Sequence, residues 1–272
     1  MKYSVLMSVY FKEKPEQLAF SLESMVNQTR APSQIVIVED GPLTAELYMV
    51  IEKFKKDCPN LIDEVKLLNN SGLAIALNEG LKHCNNELVA RMDSDDFSLP
   101  SRCEKELECF ENNPNLSLVG TNVDEFIGNT DNIVARRKVP SNQQDIIKFS
   151  RRRNPFNHPS VMFKKEDVLA FGGYNPERKR AQDYELFATM VNNGCLALNI
   201  DESLVMFRVG NESIKRRKKW EHCKAHISVV KKLFKSGYSS LFDLIVVFFG
   251  ELIMWLLPTS FATKFSNGFL RK

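Results

Sequence analysis

The chain has 272 residues, 43% of them hydrophobic, and its 37 lysines and arginines nearly balance 34 aspartates and glutamates for a net charge of +3. Those values exclude a disordered or strongly polyanionic chain and bound it to one large folded domain, or one domain with an appendage. Six cysteines without a Cys-x-x-Cys pair or His/Cys ligand spacing read as reduced, cytosolic thiols.

Taken in order, Ser4 to Tyr10 is a β-branched run that reads as a first strand and is too soon charged to be a signal peptide. Pro15 to Asn27 carries Leu18, Leu22, Met25 and Val26 at helical spacing. Ile35 to Val38 predicts a second strand that turns at Glu39-Asp-Gly-Pro42, and Thr44 to Asp57 predicts a helix. Val65 to Leu68 reads as a third strand, Gly72 to Cys84 as a helix and Leu88 to Met92 as a buried fourth strand. This alternation predicts an α/β fold with a mostly parallel sheet, which brings Tyr10, Asp40 and Asp93 to one sheet edge, where such folds bind ligands.

At the end of the fourth strand come Asp93, Ser94, Asp95 and Asp96. Asp93 and Asp95 are two apart, so an extended chain points both the same way and the pair fits a hard divalent cation bridging to phosphate. The same pattern before Pro100 also suits helix capping. A helix follows to about Asn112, then antiparallel strands over Leu116 to Ile127 and Asn132 to Arg137. Phe156 to Phe163 enters another strand. Near Ala181 a helix begins in which Asp183, Leu186, Phe187 and Met190 share one face, so the carboxylate points towards the core or a cleft, or serves the helix dipole.

Basic runs at Arg151 to Arg153, Arg178 to Arg180 and Lys215 to Lys219 all fall in the second half. No phosphate-cradling glycine loop is present, so phosphate handling falls to metal and basic side chains. Leu241 to Leu257 is almost wholly apolar but contains Asp243, Gly250 and Glu251. It reads as a monotopic membrane anchor, with a single span or a core or dimer helix as alternatives. The expected organisation is a nucleotide-sugar-binding half at 1–112, an acceptor-binding half at 113–212 and basic, apolar C-terminal helices at 213–272.

Several motifs then occur in a telling order: Ser4-Val-Leu-Met-Ser-Val-Tyr10, Val38-Glu-Asp-Gly41, Asn70-Ser-Gly72 with Ala76, Asn78 and Gly80, and Ala90-Arg-Met-Asp-Ser-Asp-Asp96 with Pro100 and Arg102. His158-Pro-Ser-Val-Met162, Gly172-Gly-Tyr174 and Gln182-Asp-Tyr-Glu185 complete them. Together, over roughly residues 3 to 210, they resemble the inverting family-2 glycosyltransferases with a glycosyltransferase A fold. Phe207 to Asn211 and Lys215-Arg-Arg217 make the chain similar, more narrowly, to bacterial transferases that build O-antigen, capsule or amylovoran-type exopolysaccharide units on lipid pyrophosphate.

The resemblance implies a UDP-sugar donor contacted by Tyr10, Glu13, Asp40, Asp93 and Arg102, with Asp40 accepting from uracil. It also implies Mn²⁺ or Mg²⁺ on Asp93 and Asp95, and Asp183 as the base acting on the acceptor hydroxyl. His158, Gln182, Arg216 and Arg217 would meet a lipid-pyrophosphate-linked saccharide, at the cytoplasmic face of a bacterial inner membrane. The expected reaction transfers glucose or galactose with inversion, forming a β-1,3 linkage, and no nucleic-acid partner is expected. Two departures stand out: Phe11 occupies a position where many members have Asn, and Arg208-Val-Gly-Asn211 lacks the late His that many supply to the metal. An all-oxygen site suits Mg²⁺ as readily as Mn²⁺. The rival readings are a sugar-phosphate nucleotidyltransferase and a non-enzymatic, basic membrane-surface binder of polyanions.

Overall fold

The structure is a computed structural model that describes residues 1–210 and 219–257. Its frame is a nine-stranded mixed sheet. The continuous β-branched and apolar runs become strands β1 (Tyr3–Val9), β2 (Gln34–Glu39) and β4 (Leu88–Asp93), all buried on both faces. With β3 (Ile62–Lys66) they form a parallel block in the order β3-β2-β1-β4. Beyond β4 the sheet continues through β8 (Met162–Lys164), β6 (Leu116–Phe126), β9 (Leu196–Arg208) and β5 (Phe97–Ser98), with β7 (Ile133–Arg137) paired to β6. One sheet thus runs through both expected halves.

Helices α1 (Pro15–Val26), α2 (Ala45–Asp57) and α3 (Leu73–His83) are the crossovers of the parallel block. Thr44, expected as the first helical residue, instead caps α2 by accepting from the Leu47 amide. Gly80 of α3 lies so close to Leu6 and Val38 that a Cβ there would meet their methyl carbons at 2.4 and 2.6 Å, which is why this helix sits tight on the sheet. Helices α4 (Arg102–Asn112), α5 (Gln143–Ser150), α6 (Lys165–Ala170) and α7 (Gln182–Asn192) pack around the second half. The sheet separates two apolar clusters, one under α1, α2 and α4, the other under α3 and α7.

The third strand lies earlier than the Val65 to Leu68 expectation. Pairing with β2 ends at Glu39 opposite Lys66, and Leu68 is exposed. An edge strand need be covered on only one side, so the polar Asp63 and Glu64 are accommodated there.

Helices α8 (Trp220–Lys235) and α9 (Leu241–Leu256) form a C-terminal hairpin, with Val229, Val230, Leu233 and Val247 joining Tyr184 and Ala188 of α7 in a third apolar cluster. No helix among the described residues is long and apolar enough to cross a membrane. The two carboxylates of the apolar stretch both turn inward. Asp243 forms a capping box with Ser240 and an ion pair with Arg152, and Glu251 accepts from His226 at 2.6 Å. The polar side chains therefore face the protein, while Phe242, Ile245, Phe249, Ile253 and Leu256 face outward.

Candidate active site

Strand order reverses between β1 and β4, which makes the crevice beyond their carboxyl ends the natural ligand site of this sheet. Asp93 is the last residue of β4, and Asp95 and Asp96 lie in the short connection to β5. A ligating oxygen from each of the three lies within 4.8 Å of the others. The connection is held from several sides. Ser21 Oγ donates to the Asp93 carbonyl at 2.7 Å, and the Arg208 amide donates to Asp96 Oδ1 at 2.7 Å. The Arg208 guanidinium reaches the Asp95 and Gly128 carbonyls at 2.8 and 2.9 Å.

Burial and then mutual repulsion raise these acids: Asp95 to about 6 and Asp96 well above the usual carboxylate range. Glu13, after β1, is pushed up to about 7 by burial and by the charges of Asp95 and Asp93. The second oxygen of Asp96 is buried without a hydrogen-bond partner. Convergent hard oxygens, an orphaned acceptor and repulsion that a cation would relieve all fit a divalent metal. Asp96 joins the two ligands expected from spacing because its backbone turn, fixed by Arg208, brings its carboxylate back to the cluster.

Beneath the cluster lies Arg91, only 1% exposed and ion-paired with Asp93, two residues on along the same strand face. Its charge also favours the ionised forms of Asp95, Asp96 and Asp183. Sequence reasoning passed over this residue, yet an arginine inside Val89-Ala-Arg-Met92, a buried apolar run, was a visible signal that an acid must lie opposite.

Asp183 stands in the first turn of α7, half-buried, with Oδ2 accepting from the Asn154 amide at 2.7 Å. Burial raises it above the usual carboxylate range, and Asp93 adds to the rise. The helix entry is unusual: Ala181 has φ +56°, a left-handed conformation that turns the chain sharply into α7. Gln182 is buried beside Asp183 with its Oε1 unpartnered. His158 Nε2 meets the Tyr174 hydroxyl at 3.0 Å, and burial together with Arg91 drives its pKa well down, so it is a neutral ring.

The remaining expected residues are placed as follows. Tyr10 is exposed just past β1, edge-on to Phe11. Asp40 accepts from the Ser71 and Gly72 amides at 2.6 and 3.0 Å and from Asn70 at 3.2 Å. It thereby clamps the loop before α3, against which Gly41 (φ +83°) leaves no room for a Cβ. Arg102 departs from the expectation of a donor contact: it is 0% exposed, paired with Glu106 and bonded to the Arg91 and Val161 carbonyls. Its place in the first turn of α4 directs it under the sheet, making it an internal brace. Arg216 and Arg217 lie outside the described residues.

Residues 4–171 match the model of glycosyl transferase family 2. The chain belongs to that family. Over 260 residues it is 36% identical to an Escherichia coli UDP-Gal:alpha-D-GlcNAc-diphosphoundecaprenol beta-1,3-galactosyltransferase, covering 96% of this chain and 93% of that one. It is 37% identical over 229 residues to the amylovoran biosynthesis glycosyltransferase AmsE of Erwinia amylovora, covering 84% of each. Among solved structures, a Pyrobaculum calidifontis mannosyltransferase in complex with GDP-Man and Mn²⁺ superposes with a TM-score of 0.67 at 16% identity, over 97% of this chain and 74% of that one.

The fold is accordingly that of a glycosyltransferase A enzyme, and the chain is a family-2 glycosyltransferase. Family membership sets aside the nucleotidyltransferase and non-enzymatic readings. Asp183 and Arg208 lie beyond the matched segment, so their proximity to the aspartate cluster is information the structure adds.

Proposed function

We propose that this family-2 enzyme transfers a hexose, glucose or galactose, from a UDP-sugar to a saccharide on a lipid pyrophosphate, inverting the anomeric centre and forming a β-1,3 linkage in a bacterial surface polysaccharide. The observation that carries this reading is the pairing of an aspartate cluster at the sheet's switch point with a separate, raised carboxylate, Asp183, over one shared cation, Arg91. The E. coli relative, whose name states such a donor, acceptor and linkage, supports the finer assignment.

In this reading Asp93, Asp95 and Asp96 hold Mn²⁺ or Mg²⁺, which when bound neutralises charge on the departing diphosphate. Asp40 and Tyr10 border the uridine, with Glu13 beside the diphosphate. Asp183 takes the proton of the acceptor hydroxyl as that oxygen bonds to the anomeric carbon. The bond from that carbon to the UDP oxygen breaks with its electron pair leaving on UDP, so a single displacement inverts configuration. Burial suits Asp183 to this task, because a base works best when its pKa approaches the working pH. Asn154 orients the carboxylate, and His158 and Gln182 line the acceptor side. The outward apolar face of α9 lies on the inner-leaflet surface, where the lipid-linked acceptor resides.

The test is UDP release from a panel of UDP-sugars on a synthetic sugar-pyrophosphate-lipid, with and without Mn²⁺ or Mg²⁺, followed by NMR assignment of the product anomer. Metal-dependent release giving a β product is expected. No turnover with any donor, or an α product from a UDP-α-sugar, would overturn the proposal.

A further inference from the structure

The chemistry above uses only the outward face of the C-terminal hairpin, yet the inner side of the hairpin holds the stretch of chain that leads to Asp183. Three successive carbonyls ahead of Asn154 each receive a side-chain donor from a distant element. The Tyr184 hydroxyl donates to Ser150 at 2.9 Å, Ser239 Oγ, between α8 and α9, donates to Arg151 at 2.8 Å, and His226 Nε2 of α8 donates to Arg152 at 2.8 Å. Two residues further on, Asn154 Nδ2 donates to Asp183 Oδ2 at 2.7 Å, while Asn154 Oδ1 accepts from the Phe156 amide. A backbone fixed at three carbonyls in a row leaves the side chain that follows little freedom to wander.

His226 is where α9 enters this arrangement. Nε2 must donate, because a carbonyl only accepts, and Nδ1 lies 2.6 Å from Oε1 of Glu251 on α9. Burial works to raise Glu251, but the hydrogen bond and charge of His226 outweigh it and hold the carboxyl below the usual range, so Glu251 stays an acceptor. Tyr184, the residue after Asp183, packs its ring edge on His226 with 5.5 Å between centroids. Helix α8 also holds the chain on the other side of the base. Arg178, in the loop before α7, donates to the Ala225 carbonyl at 3.3 Å, and Lys232 donates to Glu185, two residues past Asp183, at 2.6 Å.

We infer that His226 is a positioning residue for the proton transfer: locked by Glu251, it fixes the Arg152 carbonyl and so aims the Asn154 amide at Asp183. The inference rests on Asp183 being the base of the proposed function. It adds the part of the chain that sets the aim of that base, and gives the hairpin a task besides the surface contact proposed for α9.

The test is a double-mutant cycle on kcat–pH profiles at saturating donor and metal, with wild type, His226→Leu, Asn154→Ala and the pair, and with His226→Gln as the conservative variant. The other groups that act on Asp183, namely Arg91 and Asp93 on β4 and the amides of its own helical turn, are untouched in all of them. An amide donor favours the ionised carboxylate, so losing it raises the pKa of Asp183 and moves the acidic limb to higher pH. His226→Leu should lower kcat about tenfold or more and shift that limb up by about one pH unit, the worth of one hydrogen bond to a charged group. KM for the UDP-sugar and metal-dependent UDP binding should stay within about twofold of wild type. Asn154→Ala should do the same, and adding His226→Leu to it should change neither kcat nor the limb further. His226→Gln, which can still donate to the Arg152 carbonyl, should recover part of the loss. Should His226→Leu not fold, Glu251→Ala, which frees the ring without removing it, takes its place in the cycle. Additive losses in the pair, or an acidic limb at the wild-type pH, overturn the inference, because the hairpin would then merely stabilise the fold. Turnover in Asp183→Asn within a few-fold of wild type would sink the proposed base whatever His226 does. Loss of turnover there, with additive losses in the cycle, would sink the role of His226 alone.

Discussion

Arg91 places a permanent positive charge under carboxylates that would otherwise repel one another. A cation favours the ionised form of an acid beside it, so Arg91 holds Asp183 below where burial alone would set it. As the proposed base, Asp183 must be ionised to accept a proton, and activity should therefore fall as pH drops through its raised pKa, at a pH above the ordinary aspartate range. Removing the cation raises that pKa further, so Arg91→Met should shift the acidic limb of kcat to higher pH, with Arg91→Lys shifting it less. A kcat–pH profile measured at saturating metal reads this directly. A limb at the same pH in all three proteins would remove Arg91 from the electrostatics of the base.

At the scale of elements, two pieces carry separable loads. Helix α4 sends Arg102 under the sheet, where Glu106, the Arg91 carbonyl and the Val161 carbonyl complete its bonds. Replacing one member of a buried ion pair strands the other, and the cost is about 3–5 kcal/mol. Arg102→Met should lose that much stability in urea denaturation, and adding Glu106→Gln should recover part of it. Unchanged stability with a higher donor KM would instead restore the direct role in donor binding that the motif alone implies. Helix α9 presents its apolar side outward, and burying one Phe side chain is worth about 2 kcal/mol. Phe249→Glu should weaken vesicle binding roughly tenfold or more while leaving the melting temperature near wild type, as a cosedimentation assay would show. Val247→Glu, buried against α8, should lower the melting temperature instead.

Across the whole molecule, the sequence was informative wherever burial forces a pattern. Strands β1, β2 and β4 are covered on both faces, so their apolar runs were unmistakable, and their order carried Asp93 to the ligand edge. What stayed hidden depends on distant pairing. Arg208 fixes Asp96 across more than a hundred residues, and β9 places it there by running parallel to β6. Neither relation leaves a local trace, which is why Asp96 read only as part of an acidic run. Arg102 misled for a related reason: a helix's first turn can aim a long side chain at a cleft or beneath a sheet, and only packing decides. The Asp243 and Glu251 interruptions of the apolar stretch argue from sequence against a full span, and inward pairing with Arg152 and His226 leaves the outer face of the helix apolar.

The proposed function divides labour between carboxylates that hold the donor diphosphate and one that moves the acceptor's proton. It is tested most directly by measuring metal-dependent UDP binding and turnover together in wild type, Asp95→Asn and Asp183→Asn. Asp183→Asn should bind UDP with metal as wild type does while kcat falls by about 10²–10⁴, and Asp95→Asn should lose both. Turnover in Asp183→Asn within a few-fold of wild type, or loss of UDP binding in that variant equal to the loss in Asp95→Asn, would contradict the claim.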